Sequence, residues 1–134
     1  QQLVHDAGLE AHVVFTGWVE RSEMASFYGV LDIYLHAAVM EPFGLVYPEA
    51  MMNGVPVVST PTGAALDAIE DGRNGILVKD ANGKTLAEGA ERLMQLDLKA
   101  VGEAGRSTAL RIFPFDVMWN GTMEVYRRAL ARKK

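Results

Sequence analysis

Apolar residues along the 134-residue chain alternate between short continuous runs and stretches at helical spacing. Four runs are typical of strands buried on both faces of a sheet, because apolar residues occupy successive positions. These runs are His12–Thr16, Asp32–Ala37, Val55–Thr60 and Gly75–Lys79. The alternation of such runs with helical stretches predicts an α/β fold, in which a parallel sheet is flanked by helices.

Helical spacing fills the intervals between the runs. Ser22–Val30 predicts a helix with Ser22 as its N-cap, and Leu45–Asn53 predicts a helix that Gly54 ends. Four further helices are expected: a short one at Ala64–Ile69, then about Lys84–Leu96, about Leu98–Ile112, and a last one after Pro114 to about Arg132, within the C-terminal segment 114–134.

Composition and charge favour a globular domain that does not bind nucleic acid. The chain is 49% hydrophobic and 22% charged, which fits a globular domain with a core. A net charge of −4 and scattered basic residues argue against nucleic acid as the partner. The basic residues cluster only at the end, where they predict a solvated helix terminus and leave peripheral membrane contact open. That cluster consists of Arg127, Arg128, Arg132, Lys133 and Lys134.

The chain has no cysteine. This excludes disulfides and thiolate metal sites and makes the cytoplasm the default location. No spacing of His, Asp and Glu indicates a metal site, and no apolar run of about 18 residues predicts a membrane span.

The stretch "EPFGLVYPEAMMNGVPVVST", Glu41 to Thr60, carries the candidate chemistry. Pro48 lacks an N–H group and is tolerated only in the first turn of a helix, so the helix begins near Gly44. Amides at that start have no helical acceptor and would face the carboxyl end of the preceding strand, where ligands of parallel sheets bind. These are the amides of Phe43, Gly44, Leu45 and Val46.

Two carboxylates, Glu41 and Glu49, flank this helix start. A carboxylate can accept paired hydrogen bonds from the vicinal hydroxyls of a sugar or a ribose. Spacing alone gives equal weight to another interpretation, in which Glu41 caps the helix electrostatically and Glu49 is a solvated helix residue.

The segment "EPFGLVYPE" resembles the E-x7-E motif of retaining GT-B glycosyltransferases, above all family 4, the glycosyl transferases group 1. Supporting resemblances are "VVFTGWV", "SEMASFYGVLDIYLHAA" and "DGRNGILVKD", in the family's order over roughly residues 5 to 110. The resemblance identifies the chain as a Rossmann-like C-terminal domain that binds a nucleotide-sugar donor, while the acceptor lies on a facing N-terminal domain.

The resemblance also implies site residues. Glu41 would be catalytic, in contact with the donor sugar, and Glu49 would bind the ribose. The amides of Phe43, Gly44 and Leu45, with Val46 beside them, would hold sugar hydroxyls and the diphosphate. The base would meet a loop formed by Gly17, Trp18 and Val19, with core packing or loop anchoring an even alternative for Trp18. Transfer would retain configuration without a metal or other cofactor.

The resemblance implies a parallel sheet of six strands in the order 3-2-1-4-5-6. The four apolar runs here would be its third to sixth strands. The resemblance thus implies that the first two strands and the N-terminal domain are absent. His12–Thr16 would then lack neighbours, unless it pairs by exchange into a second copy as a strand-swapped homodimer. A structural role is favoured for His36 over an acceptor contact, and core packing is favoured for Trp119 and Tyr126 over contact with the missing domain.

Two alternatives stay open. One is a nucleotide- or sugar-binding module without catalysis, including a subunit of a split enzyme. The other is a flavodoxin-like or other doubly wound regulatory domain whose motif matches are accidental.

The resemblance assigns the arginine and lysine that bind the donor phosphates to segments that no residue here matches. Stabilising the leaving diphosphate is the main catalytic demand. We therefore expect donor hydrolysis by this chain alone to be undetectable when released nucleotide is measured. Appreciable turnover would contradict this expectation.

Overall fold

The computed structural model describes residues 1–132 and contains a parallel sheet between two layers of helices. The strands are β1 (Tyr34–His36), β2 (Val57–Ser59) and β3 (Ile76–Leu77), adjacent in the order β1-β2-β3. In the register, Leu35 pairs with Val58, and Val58 pairs with Ile76. The α/β prediction is confirmed, and the three later apolar runs are neighbours in the sheet.

Seven helices are formed by the described residues, and their bounds follow. They are α1 (Gln2–Asp6), α2 (Met24–Tyr28), α3 (Val46–Met52), α4 (Ala65–Ala68), α5 (Gly83–Met94), α6 (Leu98–Ile112) and α7 (Phe115–Ala131). The capping prediction for α2 is wrong, since Glu23 and not Ser22 stands at its N-cap, without a side-chain hydrogen bond. The last two residues of the predicted C-terminal segment, Lys133 and Lys134, lie outside the described residues.

Successive residues of β2 serve the two faces of the sheet. Val57 is buried in a cluster with Tyr47 and Met51, under α2, α3, α4 and the C-terminal part of α6. Val58 is buried in a second cluster with Leu93, under α5 and the first turn of α6. The period of two along a strand thus gives the central strand two apolar faces, and the run Val55–Thr60 is fully buried as predicted.

The predicted strand His12–Thr16 is wrong for the described chain. These residues form no strand, and the Val14 and Phe15 side chains are 85% and 57% exposed. Backbone groups form a strand only against a neighbour, and no segment of residues 1–132 pairs with this one. For the same reason β1 is an edge strand, and its Leu35 is 50% exposed instead of buried on both faces.

The prediction that the last helix packs into the core is also wrong. None of the side chains of α7 is buried, and Trp119 and Tyr126 are 51% and 59% exposed. Within the basic cluster, Arg128 donates to Glu124 over 2.8 Å, as expected of a solvated helix end. Across residues 1–132, none of the helices combines the length and apolar character that crossing a bilayer needs.

The end of α3 is closed by hydrogen bonds as the sequence predicts. Gly54, at a φ of +76°, donates its amide to the Met51 carbonyl, and Val55 donates to Ala50. Helix α6 crosses this turn so closely that a Cβ on Gly102 would overlap the Gly54 carbonyl oxygen. A glycine at position 102 is therefore required for α6 to reach α3.

We predict that Gly102→Ala lowers the free energy of unfolding by about 1–3 kcal/mol through overpacking. The loss should exceed the helix-propensity gain of about 1 kcal/mol. Gly121→Ala in α7 is the matched control, because a Cβ there meets nothing within 4 Å. The control should leave stability in urea unchanged or slightly raised. Equal stability of Gly102→Ala and the wild type would contradict the close approach of α6.

Candidate functional site

The loop between β1 and α3 carries amides that lack acceptors. Helix α3 begins at Val46, with Pro48 in its first turn as predicted. Internal hydrogen bonds start only with Tyr47 N–H to the Gly44 carbonyl, at 3.2 Å. Within residues 1–132, no bond is donated by the four preceding amides, those of Phe43, Gly44, Leu45 and Val46. Since α3 has seven residues, these groups act as individual donors more than through a helix dipole.

Gly44 fixes the path of this loop. Its φ is +80°, which side-chain-bearing residues rarely adopt, and a Cβ would overlap the Tyr47 ring. The same Cβ would lie 2.8 Å from the Glu41 Cγ atom. The loop therefore folds directly onto the buried Tyr47 ring, with the half-buried Glu41 beside it.

A second loop, after β2, holds the first one in place. Ala64 donates its amide to the Phe43 carbonyl over 2.6 Å. Gly63, at a φ of +53°, lies so near that a Cβ would be 2.5 Å from the same oxygen. Thr62 contributes its hydroxyl, 3.2 Å from the Tyr47 hydroxyl. The carbonyl of Phe43 is thus occupied, and its amide is left available.

Glu49 lies in the first turn of α3 and is half-buried. The Tyr28 hydroxyl donates to its Oε2 atom over 3.3 Å, and the Tyr28 side chain is 2% exposed. Burial, and then the charge of Glu49, raises the pKa of the Tyr28 phenol. The hydroxyl therefore stays protonated and remains a donor.

An open cleft of about 630 Å³ joins Glu49 to the loop predicted to meet the base. Its lining residues are Thr16, Gly17, Trp18, Val19, Arg21, Met24, Phe27 and Glu49. Trp18 is 85% exposed, so core packing of Trp18 is wrong. Its indole N–H donates to Glu20 over 3.0 Å, which agrees with the alternative that Trp18 anchors the loop. The structure thus brings the predicted ribose and base residues to one cleft.

Arg21 lines the same cleft, although its sequence context indicates only a surface charge. The signal that could have found it is its position two residues after Val19, on the loop predicted to receive the base.

Glu41 and Phe43 do not line that cleft. Phe43 and Leu45 line a second, mainly apolar cavity of about 460 Å³, which also contains Glu49. Both carboxylates nevertheless affect the phenol of Tyr34. Burial is the largest cause that raises its pKa to about 12, followed by electrostatic interaction with Tyr47, Glu49 and Glu41. Glu49 lines both cavities, whereas Glu41 lies in the loop between β1 and α3.

An aromatic cluster under the loop escaped the sequence analysis. The Tyr34 hydroxyl lies 2.9 Å from the His36 Nδ1 atom, and the His36 ring meets the Tyr47 ring at 4.7 Å. These contacts agree with the structural role favoured for His36. Its Nε2 atom is buried and has no hydrogen-bond partner among residues 1–132. The spacing of Tyr34 and His36 on one strand face was the available signal.

Comparison with known proteins identifies the family. The family model described as glycosyl transferases group 1 matches residues 1–108. A D-inositol 3-phosphate glycosyltransferase from Paenarthrobacter aurescens is 35% identical over 98% of this chain. The chain spans 32% of that relative's length. The resemblance read from the motifs is confirmed, and accidental matching in a regulatory domain is excluded.

Solved structures agree with this assignment. The C-terminal domain of LpcC, a glycosyl transferase group 1 family protein from Francisella tularensis, superposes with a TM-score of 0.77 at 29% identity, covering 85% of this chain and 60% of that one. HepE from Anabaena, solved with UDP and glucose, gives a TM-score of 0.74 at 28% identity, covering 96% and 35%. The chain belongs to the glycosyl transferases group 1 and has the fold of a GT-B C-terminal domain.

Proposed function

We propose that the chain supplies the donor-binding part of a retaining hexosyltransferase that uses a nucleoside-diphosphate sugar. One observation carries the proposal: the amides of residues 43–46, between Glu41 and Glu49 in the chain, have no acceptor in the part of the chain that the structure describes. Amides at the start of a helix lack helical acceptors, and an anionic, hydroxyl-rich ligand can supply them. The similarity to HepE, solved with UDP and glucose, supports the same ligand class.

The loop amides would serve the diphosphate and the donor sugar. Phe43, Gly44 and Leu45 would donate to phosphate and hydroxyl oxygens, with Val46 beside them. Negative charge grows on the diphosphate as the bond to the sugar breaks, and fixed donors stabilise it without reorganisation. Glu41, at the start of the loop, would contact the sugar hydroxyls near the reacting carbon. We expect no metal or other cofactor in this step.

The cleft next to Glu49 would receive the nucleoside. The Glu49 carboxylate would accept from the ribose hydroxyls, while the backbone of Gly17, Trp18 and Val19 would meet the base. Arg21, the basic side chain among the cleft-lining residues, would add positive charge beside the nucleotide.

The alternative function, a binding module or split-enzyme subunit without catalysis, shares this site and differs only in turnover. We propose catalysis for the full-length protein and inactivity for this chain alone, because the residues here span about a third of the relative's length. The acceptor domain, the strand-swapped homodimer, peripheral membrane contact and the cytoplasmic location stay predictions.

We predict that Glu49→Ala weakens nucleotide binding by about 1–3 kcal/mol, because a charged hydrogen bond to the ribose is lost. Calorimetric titration with UDP, GDP and ADP measures this loss and identifies the preferred base. Glu91→Ala is the matched control, an exposed helical glutamate on α5, across the sheet from α3. The control should bind as tightly as the wild type.

The outcomes separate two conclusions. A folded chain that binds none of the three nucleotides would overturn the proposed function. Binding that Glu49→Ala leaves unchanged would remove only the ribose role of Glu49.

A further inference from the structure

We infer that Tyr28 is a positioning residue, which holds the Glu49 carboxylate in the orientation that accepts the ribose hydroxyls. This inference rests on the proposed function. It assigns a role to a residue of α2 that is not among those proposed to contact the nucleotide-sugar. The observation behind it is the hydrogen bond from the Tyr28 hydroxyl to the Glu49 Oε2 atom, at 3.3 Å.

The Tyr28 side chain is held rigidly. It is 2% exposed, and its ring makes edge-to-face contacts with Phe27 and Tyr34, with centroids 6.4 and 6.0 Å apart. Edge-to-face pairs in a packed core restrict both the position and the tilt of a ring. The hydroxyl at the ring's end is therefore a fixed point from which to orient a mobile partner.

Glu49 needs such a partner because of where it lies. Its side chain is half-buried between two open cavities, and glutamate loses rotamer freedom when a ligand orders it. A bond already present in the free protein reduces that cost on binding. Tyr28 occupies one lone pair of Oε2, and Oε1 accepts no hydrogen bond within residues 1–132. A vicinal diol can therefore still bind to the same carboxylate.

A tyrosine hydroxyl is also a suitable hydrogen-bond donor for orienting Glu49. A cationic partner would neutralise the carboxylate and compete with the ribose for its charge. A neutral phenol orients Glu49 and leaves the negative charge in place. Since burial and the Glu49 charge raise the pKa of Tyr28, the hydroxyl keeps its proton throughout the physiological range.

The test measures UDP affinity by calorimetry, with GDP in parallel, and compares each nucleotide with its 2′,3′-dideoxy analogue. The variants are Tyr28→Phe, Glu49→Ala and their double. We expect Tyr28→Phe to weaken ribonucleotide binding about three- to tenfold, the net value of one hydrogen bond. It should change dideoxynucleotide binding less than about twofold and add no further loss in the Glu49→Ala background.

Tyr34→Phe is the matched control. It removes a hydroxyl that bonds to His36 within the same cluster, from a ring that touches Tyr28. This variant should keep ribonucleotide affinity within about twofold of the wild type, because one hydrogen bond to His36, not to Glu49, is lost.

Each contrary result has a distinct meaning. Equal weakening of both nucleotide types, or failure of Tyr28→Phe to fold, would make Tyr28 merely structural and overturn the inference. Unchanged ribonucleotide affinity in Tyr28→Phe would overturn it too, with the proposed function intact. Absence of any nucleotide binding by the folded wild type would instead reject the proposed function.

Discussion

The close approach of α6 to α3 is the constraint on which the candidate site depends. Gly102 allows α6 to lie against the Gly54 carbonyl, and Ala109 is fully buried in the same cluster as Met51. Helix α3 has only seven residues, too few to be stable without such packing. Fixing its C-terminal end against α6 and its inner face against the sheet also fixes its N-terminal end, where Glu49 and the loop amides lie.

The two ends of α3 differ in their hydrogen bonding, and only the N-terminal end lies at the candidate site. At the C-terminal end, the amides of Gly54 and Val55 donate to the Met51 and Ala50 carbonyls. At the N-terminal end Gly44 and Gly63 bring two loops together, yet four amides have no acceptor within residues 1–132. Amides at the start of a helix lack helical acceptors, and here they lie on a loop whose Phe43 and Leu45 are exposed. They are therefore accessible to a ligand.

The side chains that pack under the loop between β1 and α3 are aromatic and also carry polar groups. Tyr28, Tyr34, His36 and Tyr47 form a series of ring contacts that runs from α2 to α3. The three hydroxyls and the His36 Nδ1 atom have partners within the cluster or at its rim, which reduces the penalty of desolvation. Among residues 1–132 the buried His36 Nε2 atom has none. Tyr28 at the start of this series also contacts Glu49 directly, although α2 contributes no residue of the E-x7-E motif.

The sequence by itself determined the local elements. Pro48 and Gly54 bound α3, and the apolar runs of β1 to β3 are recognisable because backbone restrictions and hydrophobic periodicity act over a few neighbours. Tertiary structure decided what depends on distant partners. His12–Thr16 forms no strand because no segment of the described chain pairs with it, α7 stays exposed, and Tyr28 meets Glu49 across 21 positions. The residue type shows what kind of contact a side chain can make. Only the fold determines which partner lies close enough for that contact.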